Sequence, residues 1–475
     1  NTFTYWQFLY KIMNIKINAD KVINRRELDY NIKKMFAKIG GFIMRKAIAL
    51  LLAGTMALTL AGCGSSSGSN GSGSEKKALK LRVTTTFAGE DTNAQNYKDA
   101  VAAWEKKTGN KVDDSSATSN EEFKSRVITD FETGSEPDVL FFFNGVDSNQ
   151  FVEQGKVVSI DEIRKEYPEY ATNMQDDRMG ASPTDNKNYS VPVNGYWEGM
   201  FVNKEVCKKA GVDVPDKNTT WDDFMKMCEK IKKAGYTPIA VSLQEIPHYW
   251  FEYSIYNFDS PATHATLPKK VDDAAGKAWV NGLGDIKTLY EKGYLPDNTL
   301  TAKDDETFQL FTNDKAAFLI DGSWKVGGIE NAVGEDKIGN FTVTYVPGKG
   351  DRKTTDIIGG ISSGYYITKK AWDDPEKRKA AVDFVEYMTT DEMVAKFAGT
   401  GATALKKAPE AASDLSALSK DALTFTAGVT AISNAVQDGL SDAARKPIFG
   451  EMASIVKGDT AIKDAVKQVI EKANE

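Results

Sequence analysis

From Leu79 onward the chain reads as an α/β protein, on three observations. Short runs of β-branched and aromatic residues alternate with longer segments of helical period, the pattern of parallel strands joined by helices. The run Pro137-Asp138-Val139-Leu140-Phe141-Phe142-Phe143 is so uniformly apolar that both faces of that strand must be covered. Glycines and capping residues fall where helices need ends.

In chain order, Ala78 to Phe87 reads as a strand. Asn93 to Thr108 follows as a helix with Tyr97, Ala100, Val101 and Trp104 on one face and Gly109 as its stop. Glu121 to Thr133 is a second amphipathic helix. The apolar strand comes next, and its end at Asn144-Gly145 is where open α/β sheets bind ligands. Tyr189 to Asn203 is extended, interrupted at Asn194-Gly195, and leads into a helix ended by Gly211. Thr220 caps the helix Trp221 to Ala234, with Asp223 three residues on in the manner of a capping box. Thr237 to Leu243 makes a strand, and Glu245 to Phe258 is rich in aromatics. Ala316 to Ile320, Phe341 to Val346 and Ser363 to Thr368 are further strands, separated by helices and by glycine turns at Gly327-Gly328 and Gly359-Gly360. The last 50 residues read as helical.

The N-terminal part reads differently. Met44 is followed by Arg45 and Lys46, and then by the uncharged run Ala47 to Leu60, too short to span a bilayer but long enough for a signal-peptide core. Ala61 and Gly62 give a peptidase access just before Cys63, and Gly64 to Ser74 is a Gly/Ser tether with too little apolar surface to fold. This resembles a bacterial lipoprotein signal over 44–62, in which Cys63 is lipidated and becomes the new N-terminus, with 63–77 as the tether. Asn1 opens the sequence, and Lys38-Ile39-Gly40-Gly41-Phe42-Ile43 can be encoded with GGAGG just upstream of the Met44 codon. Residues 1–43 are therefore expected to be an untranslated leader.

Residues 1–62 carry ten basic and three acidic side chains, so the −7 of the whole chain becomes −14 over the 413 residues beyond them. That length holds two or three domains, and that charge disfavours nucleic acid and anionic lipid, whose recognition leans on Lys and Arg. Besides Cys63 there are Cys207 and Cys228, readable as buried free thiols or as a mutual disulfide. His248 and His264 are the only histidines and neither sits in a ligand motif, so no metal and no cofactor is expected.

Several ordered segments resemble the carbohydrate-binding lipoproteins of bacterial ABC importers, the maltose-binding-protein-like solute-binding family. They are Ala103 to Gly109 with Val112, Glu136 to Val139, and Gly155 to Val158 with Ile160-Asp161. They continue with Val191 to Val193, Phe201 to Glu205, Thr220 to Phe224, Asp321 to Trp324 and Gly359 to Gly364. The resemblance covers Leu79 to the C-terminus. It implies a type II, two-lobed periplasmic-binding-protein fold: 78–194 with 365–415 as one lobe, 195–360 with 416–475 as the other. The ligand lies in the cleft, with hinge crossovers near Asn194-Gly195 and Gly359 to Gly364, where each glycine also suits an ordinary turn.

A sugar presents apolar C–H faces and a rim of hydroxyls, so its site needs aromatic plates and short polar side chains. By the resemblance, Trp324 stacks on sugar, a buried core Trp being its other reading. Glu245, His248, Tyr249, Trp250 and Tyr253 fall where the family places an acidic residue and aromatics. Glu90, Asp91, Asn144 and Asp147 follow strands at ligand positions, or else solvate helix N-termini. Tyr196 and Trp197 sit at one crossover, with Trp197 open to a packing role, and Gly360 and Ser362 sit at the other. Near the C-terminus Ala444, Arg445 and Lys446 stand where the family's maltodextrin binders carry an aromatic, which argues against maltodextrin.

The expected function is a non-enzymatic, monomeric receptor on the outer face of the cell membrane of a Gram-positive bacterium. It is anchored through lipid on Cys63, captures a neutral sugar, expected to be an oligosaccharide, and hands it to the transmembrane subunits of an ABC permease. Two alternatives stand beside it: the same fold for a peptide or polyamine, and a lipid-anchored glycoside hydrolase. The 64 acidic residues beyond position 62 would supply a carboxylate pair anywhere, so they do not argue for catalysis. A peptide receptor would want a charged clamp for the termini, whereas the candidate site is mainly aromatic and amide.

Overall fold

The computed structural model describes residues 78–474, apart from 246 and 408–414. The readings of a leader, a signal segment, a lipidated Cys63 and a tether fall on 1–77 and lie outside the described residues. Two sheets carry the fold. The first has the order β2-β1-β3-β10-β4 and is built from β1 (Lys80–Thr84), β2 (Lys111–Asp114), β3 (Val139–Phe143), β4 (Ser190–Val191) and β10 (Ser363–Ile367). β1 runs parallel to β2 and β3, and β10 runs antiparallel to β3 and β4.

The second sheet has the order β11-β9-β5-β7-β6, from β5 (Tyr196–Asn203), β6 (Thr237–Ile239), β7 (Ala316–Gly322), β9 (Asp356–Gly360) and β11 (Ala431–Ser433), and β8 (Phe341–Thr344) also pairs with β5. The chain changes sheet between Val191 and Tyr196 and changes back between Gly360 and Ser363. This mixed α/β, two-lobed arrangement is the one that the sequence resemblance implies.

Each sheet has its own apolar core. The unbroken apolar run of β3 is explained by two layers: Val139 and Phe141 join one cluster, while Leu140 and Phe142 join another on the opposite face. Local signals end the helices as expected. Gly109 adopts φ 76° and closes the helix Ala94–Thr108 with its N–H on the Glu105 carbonyl. The Thr220 hydroxyl accepts from the Asp223 amide and donates to the Asp223 carboxylate at 2.7 Å.

Some expectations are corrected. Gly327-Gly328 is not a turn but part of the helix Val326–Val333. A Cβ at Gly328 would come within 2.6 Å of the Glu90 carbonyl, so the glycines permit close approach between the two lobes. Gly359-Gly360 ends β9 instead of forming a turn, and Gly359 is packed against the Tyr196 carbonyl. The strand from Thr237 stops at Ile239, and the C-terminal helices are preceded by β11. Cys207 and Cys228 are unbonded thiols buried in the core of the second sheet, and burial pushes the Cys207 thiol up to about 12. Among the described residues no helix is long and apolar enough to cross a membrane.

Candidate functional site

A cavity of about 120 Å3 lies between the lobes, beside the Asn194-Gly195 crossover. The first lobe contributes Phe87 and Asp91 after β1, Phe141 and Phe143 from β3, Ser362 and Ser363 at the start of β10, and Asn120, Glu121 and Lys124. The last three are aimed by the helix Glu121–Glu132, whose first turn is capped by the Asn120 side chain accepting from the Phe123 amide at 2.8 Å. The second lobe contributes Tyr196 and Glu198, which share a face of β5 at period two. It adds His248 and Tyr249 from the helix His248–Tyr256, Trp324 from the turn after β7, and Gln437 and Asp438 from the 3-10 turn Val436–Gly439.

The aromatic groups form a wall of three rings, with a separate pair from the first lobe. Trp324 lies 5.6 Å from Tyr249 and 5.9 Å from Tyr196, centroid to centroid, and Phe87 lies 4.6 Å from Phe141. Trp324 folds back over Gly322, where any Cβ would overlap the indole. Around this wall stand buried polar atoms that no described residue satisfies: Tyr196 Oη, Glu198 Oε2, His248 Nδ1 and Gln437 Oε1. Leaving such atoms unpaired costs roughly 1–3 kcal/mol each, so the arrangement is suited to a ligand that supplies the missing partners.

Charge is distributed unevenly. Burial first, and then Lys124 beside it, push the His248 imidazole down to about 3, which leaves it neutral at physiological pH. Burial opposes ionisation of Glu121, yet Lys124 and Arg445 together hold its carboxyl down to about 2. Burial raises Asp91 to about 7 and Asp438 to about 6, and it pushes Glu198 well above the usual carboxylate range with Glu252, Asp438 and Asp321 adding to the effect. The turn that carries Gln437 and Asp438 is anchored by Glu252, which accepts from the Val436 and Gln437 amides at 3.1 and 3.0 Å and meets His264 Nε2 at 2.8 Å.

The lobes touch at two places. Thr92 donates from Oγ1 to the Trp324 carbonyl at 2.8 Å and accepts from the Gly327 amide at 2.8 Å. Arg445, on the helix Asp442–Phe449, grips Asp147 on the helix Val146–Glu153.

Of the residues singled out by sequence, Asp91, Tyr196, His248, Tyr249, Trp324 and Ser362 line the cavity together. The others do not reach it. Asn144 accepts from Ser190 and Tyr366 and donates to the Met179 carbonyl. Asp147 is committed to Arg445. Glu90 is exposed, with its carbonyl under Gly328. Trp197 is buried 5.0 Å from Phe425, and Trp250 is buried near Phe224. Glu245 accepts from the Asp304 amide at 2.7 Å, and Tyr253 donates to the Glu198 carbonyl at 2.7 Å. Gly360 borders a separate hollow of about 580 Å3 at the crossover.

Sequence reasoning missed Glu198, Gln437, Asp438, Lys124 and the phenylalanines. The period of two along β5 would have added Glu198 to Tyr196, and the same period joins Phe141 to Phe143. Nothing local marks Gln437 or Asp438.

The model of the family described as bacterial extracellular solute-binding protein matches residues 88–395. A multiple sugar-binding protein of Streptococcus mutans is 26% identical over 238 residues, 48% of this chain; the chain spans only 53% of that relative's length. A galactooligosaccharide-binding protein of Bacillus subtilis is 24% identical over 321 residues, 67% of this chain and 72% of the relative. Among solved structures, a chitin oligosaccharide binding protein superposes with a TM-score of 0.71 at 21% identity, covering 84% of this chain and 98% of that one. The raffinose complex of RafE gives 0.63 at 18% identity, covering 84% and 99%.

Proposed function

The chain belongs to the family of bacterial extracellular solute-binding proteins, and on that premise we propose that it is a receptor that captures a sugar in the interlobe cavity. The observation that carries this reading is the pairing of the Trp324, Tyr249 and Tyr196 wall with unpartnered polar atoms on Glu198, His248 and Gln437. A pyranose offers the complement of both: C–H faces for the rings and hydroxyls that donate and accept. The relatives named as sugar-binding point the same way.

In this reading the protein is not an enzyme and delivers its sugar to the transmembrane subunits of an ABC permease. The pattern at Met44 to Cys63, followed by the Gly/Ser tether, supports attachment to the outer face of the membrane through lipid on Cys63. Replacing Cys63 by Ala should release the protein from the membrane fraction. The lobes 78–194 with 365–415 and 195–360 with 416–475 would close on the ligand as two bodies.

A thermal-shift panel of neutral and amino sugars, peptides and polyamines tests the reading. A binding sugar should raise the melting temperature by mass action and reduce the radius of gyration in solution scattering. Stabilisation by a peptide or polyamine, with no sugar effective, would refute it.

A further inference from the structure

The charges around the cavity do not balance, and two of its carboxyls make no hydrogen bond to a described residue. Lys124 is occupied by Glu121 at 3.1 Å and Asp147 at 3.7 Å, and Arg445 by the same two acids. These four groups neutralise one another. Lys325 is taken by Asp304 and Asp321, at 2.9 and 3.8 Å. Asp91, Glu198 and Asp438 remain, and Asp91 accepts from the Asn93 amide at 2.7 Å, which leaves Glu198 and Asp438. Both line the cavity, and neither carboxyl is joined to another described residue by a hydrogen bond or close ion pair, although Lys124 and Arg445 act on Asp438 from farther off. Glu198 is 2% exposed, and its Oε2 is wholly enclosed and unpartnered.

Burying a carboxyl group without a partner is costly, and two close together cost more. Sugar hydroxyls could donate to them, yet would leave their charge uncompensated. An ammonium group brings three donors, no acceptor and the missing positive charge. The Trp324 and Tyr249 rings beside them accept both a sugar face and a nearby cation. The cavity volume of about 120 Å3 is of the order that encloses a single six-membered ring.

We infer that the ligand is a sugar carrying a protonated amino group, its ring against Trp324 and its ammonium between Glu198 and Asp438. The inference rests on the sugar reading above and narrows it to a cationic class. Such a ligand would also oppose the upward push that burial gives both carboxyls, since a cation favours their ionised forms.

Titration calorimetry on the purified protein at pH 7.5 tests it with matched probes: glucosamine and galactosamine, their N-acetyl forms, glucose and galactose, and spermidine as a cation that is not a sugar. An amino sugar is expected to bind about tenfold or more tightly than both its neutral counterparts, the margin between a charged and a neutral hydrogen bond. Glu198→Gln and Asp438→Asn should each erase that margin while circular dichroism stays native. Equal or tighter binding of a neutral counterpart overturns the cationic inference and leaves the sugar reading standing. Binding of spermidine with no sugar bound overturns both, as does the absence of binding by every probe. An amino-sugar preference that survives both substitutions overturns the assignment to these carboxyls.

Discussion

Arg445 closes a two-pronged ion pair on Asp147 across the cleft, with Nη1 and Nη2 at 3.1 and 2.9 Å from the two carboxylate oxygens. The Arg445 and Asp147 side chains are only 2% and 5% exposed, and Arg445 Nε also reaches Glu121 at 3.2 Å. Arg445 is anchored in the second lobe through its neighbours Ala444 and Ile448, whereas Asp147 and Glu121 belong to the first. The pair therefore ties the lobes to each other more than it stabilises either one.

Arg445→Ala is expected to weaken ligand binding by about 2 kcal/mol or more, because it strands a buried Asp147 in the closed form only. Scattering should show a larger radius of gyration at saturating ligand. Arg445→Lys should recover little, since a point charge cannot reproduce the fork. Wild-type affinity in both variants would show that the pair does not govern closure.

Trp324→Ala should cost roughly 1 to 3 kcal/mol of binding, the range for truncating a ring that a ligand face covers. The ring lines the cavity and belongs to neither lobe's core, so circular dichroism should stay native. Gly322→Ala provides an independent check: its methyl group would displace the indole and should lower affinity without deleting any aromatic atom. Unfolding of Trp324→Ala would assign the ring to the core instead.

Glu252 is enclosed and touches no ligand space, yet it holds the turn that presents Gln437 and Asp438. Glu252→Ala leaves two buried amides and the His264 ring without their acceptor, at a cost of about 3 kcal/mol or more by urea denaturation. Affinity should fall as well, measured under conditions where the variant is fully folded. Stability and affinity both unchanged would contradict this anchoring role.

The pH dependence of stability follows from opposed groups. Asp438 titrates at about 6 in the folded protein against an ordinary 3.8, so its contribution is fully present below pH 3.8 and is lost as pH rises through 6. His248 acts in the opposite sense: its folded value of about 3 lies below 6.5, so stability is lost as pH falls from 6.5 towards 3. Asp438→Asn should therefore raise the melting temperature of the ligand-free protein at pH 7.5 and change it little at pH 4. An equal change at both pH values would mean that burial does not penalise the ionised Asp438 carboxyl.

The reach of the sequence is clearest in β3 and in the helix His248–Tyr256. In β3 the absence of alternation implied two covered faces, and Leu140 and Val139 do pack into different clusters. The aromatic-rich segment was expected to bring at least one of Glu245, His248, Tyr249, Trp250 and Tyr253 to a ligand. His248 and Tyr249 line the cavity, while Trp250 and Tyr253 turn into the core. Successive helical residues point about 100° apart, so a cluster in sequence cannot stay a cluster on one face.

By itself, then, the sequence determined what depends on neighbours along the chain: strand and helix periods, the caps at Thr220 and Gly109, and an ordered set of segments that marks the α/β family. These rest on backbone hydrogen bonds and side-chain direction within a few residues. Only the tertiary structure decided which polar groups stayed free for a ligand. Glu245 spends its carboxylate on the Asp304 amide and Asp147 spends its own on Arg445, 298 residues away, whereas Glu198 Oε2 is left without a partner among the described residues. Whether a buried polar group is satisfied depends on what long-range packing brings within about 3 Å of it, and no local pattern records that distance.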